Sequence, residues 1–211
     1  MAIRLNIEQR RAHLIDAAIG LAESKGVAAV TTRDVAQAAG VSLGVVHYCF
    51  DSKAALMTEL ARALSIELRN SVDSDPQVIE WEGVGVDSLR SFVKVSLRVL
   101  WHNVEQTPNR QLLSYEVTTF SLRADDTPEK IEVAREQYAF NDATVAELLA
   151  RAATLTATRW TVPVEALSRL LLSMIDGLVL RWLVDQDSET AHDQLERIAA
   201  LIASQATDGP T

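Results

Sequence analysis

Cysteine occurs once in this 211-residue chain, at Cys49, so no disulfide can form within it. No stretch of about 18 apolar residues is present, and a membrane-spanning helix is not expected. The first residues lack the apolar centre of a secretory leader, which together with the lone cysteine points to the cytoplasm. Only four histidines occur (His13, His47, His102 and His192), and their spacing fits no metal site. No glycine-rich phosphate loop and no nucleophile motif is found, so neither catalysis nor a cofactor is expected. Alternating strand patterns are absent too, and the eight glycines and five prolines fall mainly at plausible helix breaks. What is abundant is apolar residue content, 48 % of the chain, enough for a sizeable core. The expected fold is therefore all-α.

Positive charge is scarce overall, with 20 basic against 29 acidic residues and a net charge of −9. The deficit is uneven. Residues 1–53 hold six basic and five acidic residues, whereas 54–211 hold fourteen and twenty-four. An acidic body behind a near-neutral head repels stray polyanions and confines their attraction to the head, where Arg4, Arg10, Arg11, Arg33 and Lys53 sit. The same carboxylates also serve plain solubility.

The segment from Thr32 to Phe50 is the most specific part of the chain. Thr32 is a fitting N-cap, and Val35, Ala36 and Ala39 recur at helical spacing. Gly40 supplies a stop that tolerates positive φ, Val41 fills the angle, and Ser42 caps a second short helix from Leu43 to Cys49. Two short helices about a glycine turn form a helix-turn-helix, the device that sets a helix into the DNA major groove. An ordinary helical hairpin fits this stretch taken alone.

The flanks extend the pattern. Upstream, Leu14, Ile15, Ala18, Leu21 and Ala22 mark one face of a helix that stops at Lys25-Gly26. Downstream, Asp51 or Ser52 caps another helix with Lys53 in its first turn, where a cation opposes the helix dipole and suits an external phosphate. The ordered set Leu14-Ile15-Asp16-Ala17-Ala18, Gly26, Thr32-Arg33-Asp34-Val35-Ala36, Ala39-Gly40-Val41-Ser42, Gly44, Phe50 and Ser52-Lys53-Ala54-Ala55-Leu56 resembles the tetracycline-repressor (TetR) family of transcriptional regulators. His47 and Cys49 depart from it, since the family often has tyrosine and a second aromatic or histidine there.

The resemblance implies a three-helix DNA-binding domain at 1–53 and a helical ligand-binding and dimerisation domain at 54–211, about nine helices in all. By family position, Ser42, Leu43, Val45 and Tyr48 approach base edges or adjacent backbone, and His47 and Lys53 meet phosphates. Arg33 reaches a guanine edge or a phosphate. Gly44 allows close approach, and Thr32 starts the supporting helix. So apolar a reading surface implies thymine-methyl contacts and DNA shape as part of recognition. The function implied is a repressor that binds a palindromic operator as a homodimer and is released by a small molecule. The alternative is a helical small-molecule or protein-binding module that keeps the motif without reading DNA.

Beyond the head, helices are expected over 52–70, 87–103, 108–123, from Thr127-Pro128 onward, and 163–185, with Ser188 capping the last. One loop is expected, marked by Asp73 to Pro76 and Trp81 to Gly85, and the C-terminus reads as a short polar tail. The segment 169–183 is apolar on nearly every side, and Gly177 within it costs about 1 kcal/mol relative to alanine. A partner helix packed closely there would offset that cost, so Leu171, Ile175, Gly177, Leu178 and Trp182 are candidate dimer contacts. A buried central helix of a monomer is the other reading. The resemblance also implies a ligand cavity. Glu116 and Asn141 interrupt apolar stripes and need partners, either a ligand or a neighbouring helix. Trp101, Tyr115, Phe120, Tyr138 and Met174 either line that cavity or belong to plain core.

Overall fold

The computed structural model describes residues 6–122 and 128–209. Arg4, Arg123 and Thr127 lie outside the described residues. Among those described, ten α-helices dominate, with one 3-10 turn and two three-residue strands. The chain divides into two compact units, one of residues 1–65 and 109–138, the other of 66–108 and 139–211. The first unit thus reaches past residue 53, and a segment distant in sequence joins it.

In the first unit, α1 (Ile7–Lys25) begins at a reciprocal cap: Gln9 N–H donates to the Asn6 side chain, and Asn6 N–H donates to that of Gln9. It ends at Gly26, whose φ of +79° is open to glycine. A 3-10 turn (Val27–Ala29) leads to α2 (Thr32–Ala38). The cap of α2 is Thr31 rather than Thr32: Asp34 N–H donates to the Thr31 hydroxyl oxygen, and the Thr31 N–H donates back to the Asp34 carboxylate. Lys25 closes the corner with a 2.7 Å ion pair to the same carboxylate.

That arrangement gives Asp34 a pH signature. The Lys25 ammonium first, then the Thr31 hydroxyl and N–H, hold its carboxyl down from 3.8 to about 2. A depressed carboxyl contributes stability that is complete above its unfolded value and disappears as pH falls through the folded one. Asp34→Asn should therefore be less stable than the parent protein at neutral pH. The gap should close between pH 3.8 and about 2, as read by denaturant unfolding at a series of pH values.

The helix α3 (Leu43–Cys49) follows a Schellman stop. Val41 N–H reaches Ala36 O at 2.9 Å and Gly40 N–H reaches Gln37 O at 3.1 Å, with Gly40 at φ +64°. Ser42 stands at the N-cap of α3, yet its hydroxyl makes no capping bond. Ser52 caps α4 (Lys53–Asp73) by accepting from Ala55 N–H at 3.0 Å. Leu14, Val35, Val46, Phe50, Leu56 and Leu60 form the core of this unit, together with Leu113 and Val117 of α7 (Pro108–Leu122) and Val133 of α8 (Pro128–Leu155). Truncating a fully buried leucine such as Leu14 or Leu56 to alanine costs about 2–5 kcal/mol.

In the second unit, α6 (Val86–Gln106) lies along α10 (Ser188–Ala203), with α9 (Val164–Asp185) against α10. Trp101 is completely buried and meets Trp182 edge to face, centroids 5.8 Å apart. A short helix α5 (Pro76–Ile79) occupies part of the expected loop, and Asp187, not Ser188, caps α10 through Thr190 N–H. The polar C-terminal tail is in fact strand β2 (Ala206–Asp208), paired antiparallel with β1 (Thr158–Trp160). Asp208 caps α6 by accepting from Val86 N–H at 3.0 Å. No helix among the described residues is long and apolar enough to cross a membrane. Nor does any group of three or more His, Cys, Asp or Glu among them have the disposition to hold a metal ion.

Candidate DNA-reading site

All the candidate DNA contacts fall in the first unit, on three consecutive elements. On α3, Val46 and Cys49 turn inward and are buried, while Gly44, His47 and Tyr48 turn outward. Ser42 is exposed ahead of them, and Leu43 and Val45 are half-buried at the margin of the core. Tyr48 is 70 % exposed, a large aromatic with no place in its own core. The seven-residue helix thus has a clean inner face and a free outer one. Arg33 is exposed in the first turn of α2, and Thr32 beside it is half-buried.

Lys53 sits differently from the sequence-based expectation of an outward phosphate contact. Its ammonium lies 3.5 Å from Ala28 O and 5.1 Å from the centre of the Phe120 ring, in a half-buried position. A phosphate would have to share or replace these partners. Arg11, one of the basic residues of the head, also points inward: it donates to the Cys49 carbonyl and pairs with Glu59 at 3.3 Å. His13 Nε2 donates to the Ala39 carbonyl at 3.1 Å, tying α1 to the turn.

α7 supports this head along one face. Arg110 pairs with Glu23 at 3.4 Å, Leu113 and Val117 enter the core, and Glu116 Oε2 accepts from Val27 N–H at 3.1 Å. Glu116 therefore has a protein partner of its own, the second of the two readings open for it from sequence. A carboxylate at the first free N–H of the 3-10 turn satisfies a donor that would otherwise be stranded.

The remaining ligand candidates are dispersed between the two units. Tyr115, Phe120 and Tyr138 belong with Glu116 to the first, and Tyr138 is 37 % exposed. Trp101, Asn141 and Met174 belong to the second. There the Trp101 indole N–H is spent on Glu105, at 3.0 Å. Among the described residues, two buried side-chain oxygens make no hydrogen bond, the Ser96 hydroxyl and Asp142 Oδ1.

The family described as "Bacterial regulatory proteins, tetR family" has a profile that matches residues 14–60, from the inner face of α1 to the first turns of α4. Residues 14–60 therefore carry the DNA-binding domain of the TetR family. Its members are regulators of transcription that bind DNA. A curated relative, the HTH-type nicotine-responsive transcriptional repressor HdnoR of Paenarthrobacter nicotinovorans, is 28 % identical over 193 residues, covering 92 % of this chain and 93 % of the relative. A solved structure of the multidrug binding protein EbrR complexed with imidazole is 29 % identical with a TM-score of 0.64, covering 90 % of this chain and 89 % of that one. A TetR-family regulator from Rhodococcus sp. reaches a TM-score of 0.71 at 17 % identity, covering 92 % and 98 %, and shows the shared fold.

Proposed function

We propose that this TetR-family regulator is a repressor that binds a palindromic operator as a homodimer and leaves it when a small molecule occupies the helical body. The observation that carries the DNA-reading part is the outer face of α3. Ser42, Gly44, His47 and Tyr48 are exposed there on a rigid two-turn rod, with Arg33 exposed on the preceding helix. Leu43 and Val45 supply apolar contact for thymine methyls at its edge, and the uncapped Ser42 hydroxyl is available to a phosphate. Bacterial operators lie in the cytoplasm, which is where the protein acts.

Pairing is supported by α9. Ala166, Leu170, Ser173, Gly177, Leu180 and Val184 are all exposed and repeat at helical spacing, with Leu170, Leu180 and Val184 exposed to 45, 50 and 76 %. A Cβ at Gly177 would meet nothing within 4 Å, leaving room for a second helix. Of the residues expected from sequence to face a partner, Gly177 is on this stripe and Ile175 and Leu178 flank it half-buried. Leu171 and Trp182 turn into their own unit instead, at 8 and 5 % exposure.

The effector is assigned to small nitrogen-bearing aromatic compounds, on the strength of the relatives named for nicotine response and solved with imidazole. Duplexes tiled across the DNA flanking the coding sequence, titrated by fluorescence anisotropy with and without nicotine or imidazole, test both halves. The reading expects one preferred duplex and a weaker complex with at least one of the probes. No preferred duplex overturns the repressor, and a preferred duplex indifferent to both probes overturns the effector class.

A further inference from the structure

Arg11 is not placed where its charge would suggest. A basic residue near the N-terminus of a DNA-binding chain reads as a phosphate contact. Here the guanidinium is drawn into the domain by three partners, at the end of α3, just beyond it and on α4. Nη1 donates to the carbonyl of Cys49, the last residue of α3, and Nη2 lies 3.3 Å from Glu59 Oε1 on α4. The group also lies 4.6 Å from the centre of the Phe50 ring, which is itself 97 % buried (3 % exposed).

Each partner has a physical consequence. The Cys49 carbonyl is one of the acceptors that a helix end leaves without an intrahelical donor, and a cation there also opposes the negative end of the helix dipole. The Phe50 face offers a planar cation a second attraction. Glu59 holds the far side of the fork. α3 has only seven residues, so its tilt depends on how its two ends are held. At its start the Ser42 hydroxyl makes no cap bond, and at its finish Arg11 couples the last carbonyl to α4. His47 and Tyr48, the exposed residues of the last turn, are the immediate neighbours of that clamp.

We infer that Arg11 is a positioning residue for DNA reading: it fixes the attitude of α3 by bridging Cys49 to Glu59, and makes no phosphate contact itself. The inference rests on α3 being the reading helix. Lysine cannot replace arginine here, because one ammonium cannot reproduce a planar fork that donates in two directions and stacks on a ring.

The test compares the parent protein with Arg11→Ala, Arg11→Lys and Glu59→Gln, each titrated with the preferred duplex and with a scrambled one over a series of salt concentrations. Folding is followed in parallel by circular dichroism. Arg11→Ala should bind the preferred duplex about tenfold more weakly or worse, and the ratio of preferred to scrambled affinity should fall. The slope of log K against log salt should stay that of the parent, since no phosphate contact is lost. Arg11→Lys should not restore affinity, and Glu59→Gln should move the ratio the same way. A slope shallower by about 0.9 in Arg11→Ala overturns the inference by revealing a phosphate contact. So does full rescue by lysine, or an unchanged ratio. If Arg11→Ala does not fold, Glu59→Gln decides by its ratio alone. A parent protein that prefers no duplex would fail the reading of α3 as a whole, a result distinct from an Arg11→Ala that matches the parent.

Discussion

Replacing Tyr48 by alanine is expected to weaken operator binding by about tenfold to a hundredfold, in line with the 1–3 kcal/mol carried by a good specific contact. The protein itself should hardly notice. Tyr48 is 70 % exposed, and truncating a surface side chain that packs on nothing usually changes stability by no more than about 0.5 kcal/mol. Arg33→Ala should show a comparable loss, and if its partner is a phosphate the salt slope should become shallower by about 0.9. Anisotropy titrations beside thermal melts separate the two quantities. A Tyr48→Ala protein with normal affinity and a lowered melting temperature would mean that the ring has a structural task the outer face of α3 does not reveal.

Charge placed on the α9 stripe is expected to do more. Leu170→Glu with Leu180→Glu puts two carboxylates on a row that is otherwise small or apolar, at positions 45 and 50 % exposed in the isolated chain. The folded chain should tolerate them, because neither side chain is core. The pairing should not, since burying unpaired carboxylates in an interface costs several kcal/mol. Sedimentation should report a monomer. Operator affinity should then fall by about a hundredfold or more, because two linked heads bind with an avidity one head lacks. A double variant that sediments as a dimer would place the interface on another surface.

Much of the head was legible in the sequence because its signals are local. Gly40 and Val41 announce a helix stop that needs only its own neighbours, and the inward and outward alternation of α3 follows from the 3.6-residue period. The cap of α2 lies one residue before the position its sequence suggests: Thr31 stands three residues before Asp34, the spacing of a reciprocal cap, and Thr32 does not. Arg11 and Glu116 were less accessible. Their partners lie 38 and 89 residues away, so charge and stripe position describe what they are without describing what they touch. The division into units is hidden for the same reason. Leu113 and Val117 look like ordinary apolar positions on a helix of the body, and only packing shows that they complete the core of the head. The strands Thr158–Trp160 and Ala206–Asp208 are three residues each, too short to alternate visibly, and pair across two intervening helices. On α9, a segment apolar all round carries no sign of which side faces home, so Leu171 and Trp182, which turn inward, look no different in sequence from Gly177, which does not.

A hydroxyl-radical footprint of the protein on its preferred duplex tests the central claim most directly. Two heads carried by one dimer predict two protected half-sites of related sequence, centred one helical turn or a whole number of turns apart, one turn being about 34 Å. Protection should vanish with Tyr48→Ala at concentrations where the parent protein saturates the site. A single protected patch, or protection that survives loss of the Tyr48 ring and shows no paired half-sites, would contradict the account.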